Sequence, residues 1–163
     1  MGLDLIMYNK REYMEYNGAE YDKITELAYG RKTWAIETYF ASRSYLLIPR
    51  EYVYEVPKVA WDEFYTTAIN LGFEKFKIWV DVISEYEYIC ENTEDEENDQ
   101  LEEIYMKAYT KTEEYMSHLF GSAANYQLGI PWEARAVVNW VEAYPKVKET
   151  YERGDEVVMV ASF

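Results

Sequence analysis

The sequence predicts an α+β domain: a small antiparallel sheet in which the two terminal strands pair, covered by four to five helices. Two observations carry this. The chain opens on a loosely alternating run, Leu3–Tyr8, and closes on a β-branched run, Val157–Phe163, and both have strand character. Between them, apolar residues recur at helical spacing over most of the chain. Pairing the two ends with each other is the simplest way to tie down termini that otherwise fray. At 163 residues, with no internal repeat and no Gly/Ser linker, a single domain is expected.

Each element has a local reason. In the first strand Leu3, Leu5 and Met7 point to one side and Asp4, Ile6 and Tyr8 to the other. Asn17-Gly18 marks a turn. Asp22 is the expected N-cap of a helix reaching about Ser42, with Ile24, Leu27, Ala28, Trp34, Ala35 and Thr38 on one stripe and Gly30 its weak point. Tyr45–Val56, bracketed by Pro49 and Pro57, reads as a short edge strand or extended linker, because proline cannot donate to a ladder. Trp61, Phe64, Tyr65 and Ala68 give a helix that stops at Gly72, and Phe76, Trp79, Val80 and Ile83 give the next, running toward Cys90. The cleanest stripe is Leu101, Ile104, Tyr105, Ala108, Thr112, Tyr115, Met116 and Leu119, broken by Gly121–Asn125. Pro131 opens a last helix with Ala134, Val137, Val138 and Val141 inward. Pro145 is expected to end or kink that helix before a charged tail reaches Gly154.

Composition excludes several classes. Hydrophobic residues make up 49% and aromatics 18%, far too much for intrinsic disorder. One cysteine, Cys90, and one histidine, His118, leave no disulfide framework and no Cys/His zinc site, so no metal and no cofactor are expected. No apolar run approaches the roughly 20 residues that span a bilayer, and no signal peptide is read. The net charge of −15 argues against direct nucleic-acid binding by phosphate neutralisation.

That charge is concentrated. Glu91, Glu94, Asp95, Glu96, Glu97, Asp99, Glu102 and Glu103 fall within 13 residues that contain no base, leaving −7 on the other 150. The core of this stretch, at about 91–99, has no apolar residue and is expected to be an exposed loop between two helices. Such a run either solubilises the chain or steers a basic partner toward it.

The opening Met1-Gly2-Leu3-Asp4-Leu5 resembles that of small phage-encoded proteins beginning MGLDM. The run from Gly30 to Phe40 is similar to that group's helix with a WRK-A--I--WF pattern, with Tyr29-Gly30 where the group has its Trp. The tail Val160-Ala161-Ser162-Phe163 is similar to endings of the type Y-x-S-[WF]. The resemblance implies a virus or prophage source, hence the cytoplasm of an infected bacterial host. It supplies no activity and no catalytic residues.

Catalytic signatures are missing. There is no nucleophile elbow, no phosphate-cradling loop and no dinucleotide fingerprint. Cys90 and His118 could form a thiol–imidazole pair only if the fold joined them. The acidic run lacks the glycine and spacing of a calcium loop. Arg31 lies on the apolar stripe of its expected helix, so its guanidinium is expected to be paired with an acid, Asp4 being the candidate, because unpaired charge is costly to bury. The 18 tyrosines exceed what packing readily uses and suggest a contact surface.

The expected function is non-enzymatic. It is that of a phage accessory protein that binds and inhibits a host factor, such as a defence nuclease or a restriction or CRISPR component, through an acidic, tyrosine-rich surface. The partner would be a host protein with a basic surface, and the acids could imitate a nucleic acid. A small enzyme using paired carboxylates and an oligomeric structural or regulatory phage protein are the alternatives.

Overall fold

The computed structural model describes residues 3–16, 23–92, 99–121 and 130–162. Five strands form one antiparallel sheet: β1 (Asp4–Asn9), β2 (Glu26–Arg31), β3 (Tyr45–Ile48), β4 (Val53–Val56) and β5 (Val157–Ser162), in the order β2-β1-β5-β4-β3. The terminal strands are neighbours over their whole length, Asp4 opposite Ser162 and Asn9 opposite Val157. Among the described residues there are six α-helices: α1 (Lys10–Tyr16), α2 (Trp34–Ala41), α3 (Lys58–Asn70), α4 (Phe73–Asn92), α5 (Asp99–Phe120) and α6 (Ile130–Glu152).

The sheet is apolar on both faces. Leu3, Leu5, Met7, Val157, Met159 and Ala161 enter the main core beneath α2–α6. The alternate residues Ile6, Tyr8, Val158 and Val160 enter a smaller cluster on the opposite side, closed by Tyr13 and Tyr16 of α1 and by Ile24. Tyr8 and Tyr13 stack there at 5.6 Å. The helices are therefore not confined to one face, as a β5 strand with valines on both sides requires.

Of the helix expected over Asp22–Ser42, the N-cap Asp22 lies outside the described residues, and the rest is instead dominated by β2 followed by α2. Leu27, Ala28 and Gly30 suit a helical stripe, but β1 offers a full ladder of backbone partners, from Leu5 opposite Gly30 to Tyr8 opposite Glu26. Gly30 also admits α6. A Cβ there would stand 2.7 Å from the Thr33 methyl and 2.8 Å from Nε1 of Trp140. The close approach brings Trp140 into an aromatic centre, stacked on Trp61 at 5.4 Å and packed against Phe40.

Pro145 neither ends nor visibly interrupts α6, which runs through it to Glu152. Beyond the proline, Val147 and Thr150 are still buried and the Tyr151 hydroxyl donates to the Val56 carbonyl. Those contacts offset the missing amide of Pro145. The Tyr45–Val56 segment is the hairpin β3–β4, with a 3-10 turn at Pro49–Glu51 and β3 on the sheet edge. The stop at Gly72 is as expected, at a positive φ of 90°.

Candidate functional site

Helices α4 and α5 form an antiparallel hairpin whose two halves differ. Near the sheet, Phe73, Phe76, Val80 and Ile83 of α4 and Ala108, Tyr115, Met116 and Leu119 of α5 are buried. Phe76 stacks on Tyr115 at 4.0 Å, and the Tyr115 hydroxyl donates to the Ala68 carbonyl at 2.6 Å. Farther out, none of the described side chains over 84–90 and 101–107 is buried. Tyr86 stacks on Tyr105 at 4.2 Å, but both rings stay half-exposed and border a cleft of about 220 Å³ with Val82, Ile89, Leu101 and Ile104. The hairpin thus projects by nine residues of α4, about 13 Å, as an arm.

The described positions of the acidic stretch lie at the end of this arm. Glu91 is in the last turn of α4, Asp99 is the first residue of α5, and Glu102 and Glu103 are exposed just after it. Glu94, Asp95, Glu96 and Glu97 lie outside the described residues. The connection is shorter than the 91–99 expected from composition, because both helices run into the acidic stretch. Glu102, in the first turn of α5, meets the positive end of its dipole. Glu102 and Glu103 stand about 16 Å from Glu113 and Glu114, with Lys107 and Lys111 between them, so α5 presents two acidic pairs rather than one continuous row.

The other sequence candidates separate. Cys90, exposed at the outer end of α4, and His118, near the sheet end of α5, are roughly 25 Å apart along the hairpin and form no thiol–imidazole pair. His118 Nδ1 lies 2.7 Å from the Glu114 carbonyl. Asp4 and Arg31 are opposite one another in the β1–β2 ladder. Arg31 is nonetheless exposed, and among the described residues no ion pair joins it to Asp4. As a strand residue at the sheet edge it needs no buried counter-charge, which removes the reason for expecting one. No group of three or more metal-ligating side chains occurs among the described residues.

One buried acid was missed. The Glu133 carboxylate accepts from the backbone N–H groups of Trp34 at 2.8 Å and Ala35 at 3.4 Å, capping the start of α2, where Thr33 supplies no side-chain cap. Burial pushes its carboxyl up to about 8, with the two amides pulling the other way. Its spacing held the clue, since Glu133 lies four residues before Val137 and seven before Trp140 on the buried stripe of α6. The side chain is engaged in holding two elements together, so it is a structural acid.

The tyrosines divide too. Tyr13 and Tyr115 are core residues and Tyr109 packs half-buried against the core; Tyr86 and Tyr105 line the arm half-buried; Tyr45, Tyr52 and Tyr88 are exposed. What fold and surface define is a class: a small α+β domain bearing a helical arm with an acidic end. No known protein family, curated protein or solved structure matches the chain.

Proposed function

We propose that this chain is a phage accessory protein that binds and inhibits a host factor without catalysis, its acidic arm meeting a basic protein surface. One observation supports the reading above the rest: the stretch of sequence richest in acids joins the two helices of a projecting hairpin, in whose outer half no described side chain is fully buried. Charge held away from the body acts mainly on encounter, and half-exposed aromatics beside it, here Tyr86 and Tyr105, are suited to set the lifetime of a complex. The fold sits easily with this, since among the described residues its most deeply buried acid is committed to a helix cap. A defence nuclease or a restriction or CRISPR component, whose nucleic-acid groove is basic, is the partner class the charge fits.

The test is capture of partners from a bacterial host, identified by mass spectrometry at low and high salt, followed by kinetics with the purified partner. Changing Glu91, Glu94, Asp95, Glu96, Glu97, Asp99, Glu102 and Glu103 to amides should slow association at least tenfold and flatten its salt dependence. If the arm occupies a nucleic-acid groove, DNA competes with the protein and the off-rate also rises. Unchanged association at low salt overturns the proposal.

A further inference from the structure

The outward face of α4 matches itself when reversed. Beginning in the turn before the helix, the residues on this face are Leu71, Lys75, Ile78, Val82, Glu85 and Ile89, at spacings of four, three, four, three and four. Read backwards, the order is again apolar, charged, apolar, apolar, charged, apolar, with the sign of the charge inverted. Ile78 is 60% exposed, and Leu71, Lys75 and Glu85 are also exposed. Neither Lys75 nor Glu85 has an ion-pair partner among the described residues, although five other ion pairs on α3–α6 are made among them.

We infer that α4 is a self-recognition surface and that two copies of the chain associate through it, α4 antiparallel to α4, about a two-fold axis. A two-fold axis passing between the two helices at the level of position 80 lays Ile78 of each copy beside Val82 of the other. It sets Lys75 of each copy against Glu85 of the other, and Leu71 against Ile89. Every pairing occurs twice, as an isologous contact demands. The i, i+3, i+4, i+7 pattern is the ridge by which antiparallel helices interdigitate. Charge selects the occupant and its direction. A parallel arrangement opposes Lys75 to Lys75 and Glu85 to Glu85, whereas the antiparallel one opposes unlike charges at both ends. A uniformly basic helix, the other candidate occupant, would meet the attraction of Glu85 but the repulsion of Lys75. The contact ends at Ile89, before the acidic tip, so this inference does not depend on the proposed inhibitory role.

The experiment is sedimentation velocity with light scattering across a wide concentration range, on the wild-type chain and on exposed-surface variants whose folding is checked by circular dichroism. Wild type should be a dimer that dissociates on dilution. Ile78→Ser, Lys75→Glu and Glu85→Lys should each weaken dimerisation by roughly tenfold or more, equivalent to about 1.4 kcal/mol. The charge variants carry the sharper arm. Lys75→Glu and Glu85→Lys, each weakened alone, should form a one-to-one heterodimer when mixed, and the double variant K75E/E85K should dimerise again. A chain that is monomeric at every concentration overturns the inference. So does a dimer indifferent to these substitutions, or a pair of charge variants that fails to recover on mixing.

Discussion

The sheet-side and outer halves of the α4–α5 hairpin have the same sequence texture and opposite fates. Both carry aromatic and aliphatic residues at helical spacing, and both stack a ring of one helix on a ring of the other, Phe76 on Tyr115 and Tyr86 on Tyr105. In the sheet-side half a third layer, made of α2, α3 and α6, closes over the seam, and Phe76, Val80, Ile83 and Met116 vanish from the surface. In the outer half Tyr86 and Tyr105 remain half-exposed. Two helices bury only the seam between them, so an apolar stripe becomes core only where a further element covers it.

The widest gap between these halves should appear in hydrogen exchange. Amides of β1 and β5, central in the sheet, should exchange only through global unfolding, while those of 84–90 and 101–107 should exchange through local opening, several orders of magnitude faster. Equal protection would break the comparison. Mutations should repeat it on a smaller scale. Trp140→Ala removes a fully buried ring from the aromatic centre and should cost about 3–5 kcal/mol in denaturant melts. Ile104→Ser on the arm should stay within about 0.5 kcal/mol.

Glu133 sharpens the comparison through pH. Its carboxyl titrates at about 8 in the folded chain and near 4.5 when unfolded. The folded state therefore holds a proton that the unfolded chain has released between those values. Stability should fall as pH rises through that window, by up to about 1.4 kcal/mol per unit, and level off above it. Glu133→Gln keeps an acceptor for the amides of Trp34 and Ala35 and should abolish that slope. Glu133→Ala loses the cap as well and should cost about 1 kcal/mol more. Neutralising the arm acids should leave the slope in place.

Gly30→Ala should destabilise by about 1–3 kcal/mol, because the new methyl meets the Thr33 side chain and the Trp140 indole at contact distances that neither can keep. The smallest effect belongs to the arm. Changing Glu102 and Glu103 to glutamine should alter stability by no more than about 0.5 kcal/mol, slightly downward, since both stand near the positive end of α5. A larger loss would mean that the acidic end is part of the folded body.

Much of this architecture was written in short-range pattern. The alternation of Leu3, Leu5 and Met7 and the run Val157–Ala161 specified strands, and their being the two ends of one chain made pairing the economical solution. The stripes from Trp61 to Leu119 gave α3, α4 and α5, Gly72 gave the turn between the first two, and the acidic run fell where two helices meet. For the candidate site, the composition alone placed the charge between two helices. It did not show that the outer half of the hairpin lacks cover.

Contacts distant in sequence decided the rest. Leu27, Ala28 and Gly30 are compatible with either helix or strand, and the choice was made by the open ladder of β1, from Leu5 opposite Gly30 to Tyr8 opposite Glu26, and by Trp140, 110 positions after Gly30, which needs the space a glycine leaves. That choice moved Arg31 from a supposed buried stripe to an exposed sheet edge and removed the need for Asp4 as its counter-charge. Pro145 stayed inside α6 because Val147, Thr150 and Tyr151 are held by the body on its far side. The sequence by itself determined the period of each element and the place of the charge, since both depend on neighbours within a few residues. The tertiary structure alone decided which backbone groups pair and which side chains are covered, because hydrogen bonding and burial are satisfied by whatever the fold brings alongside.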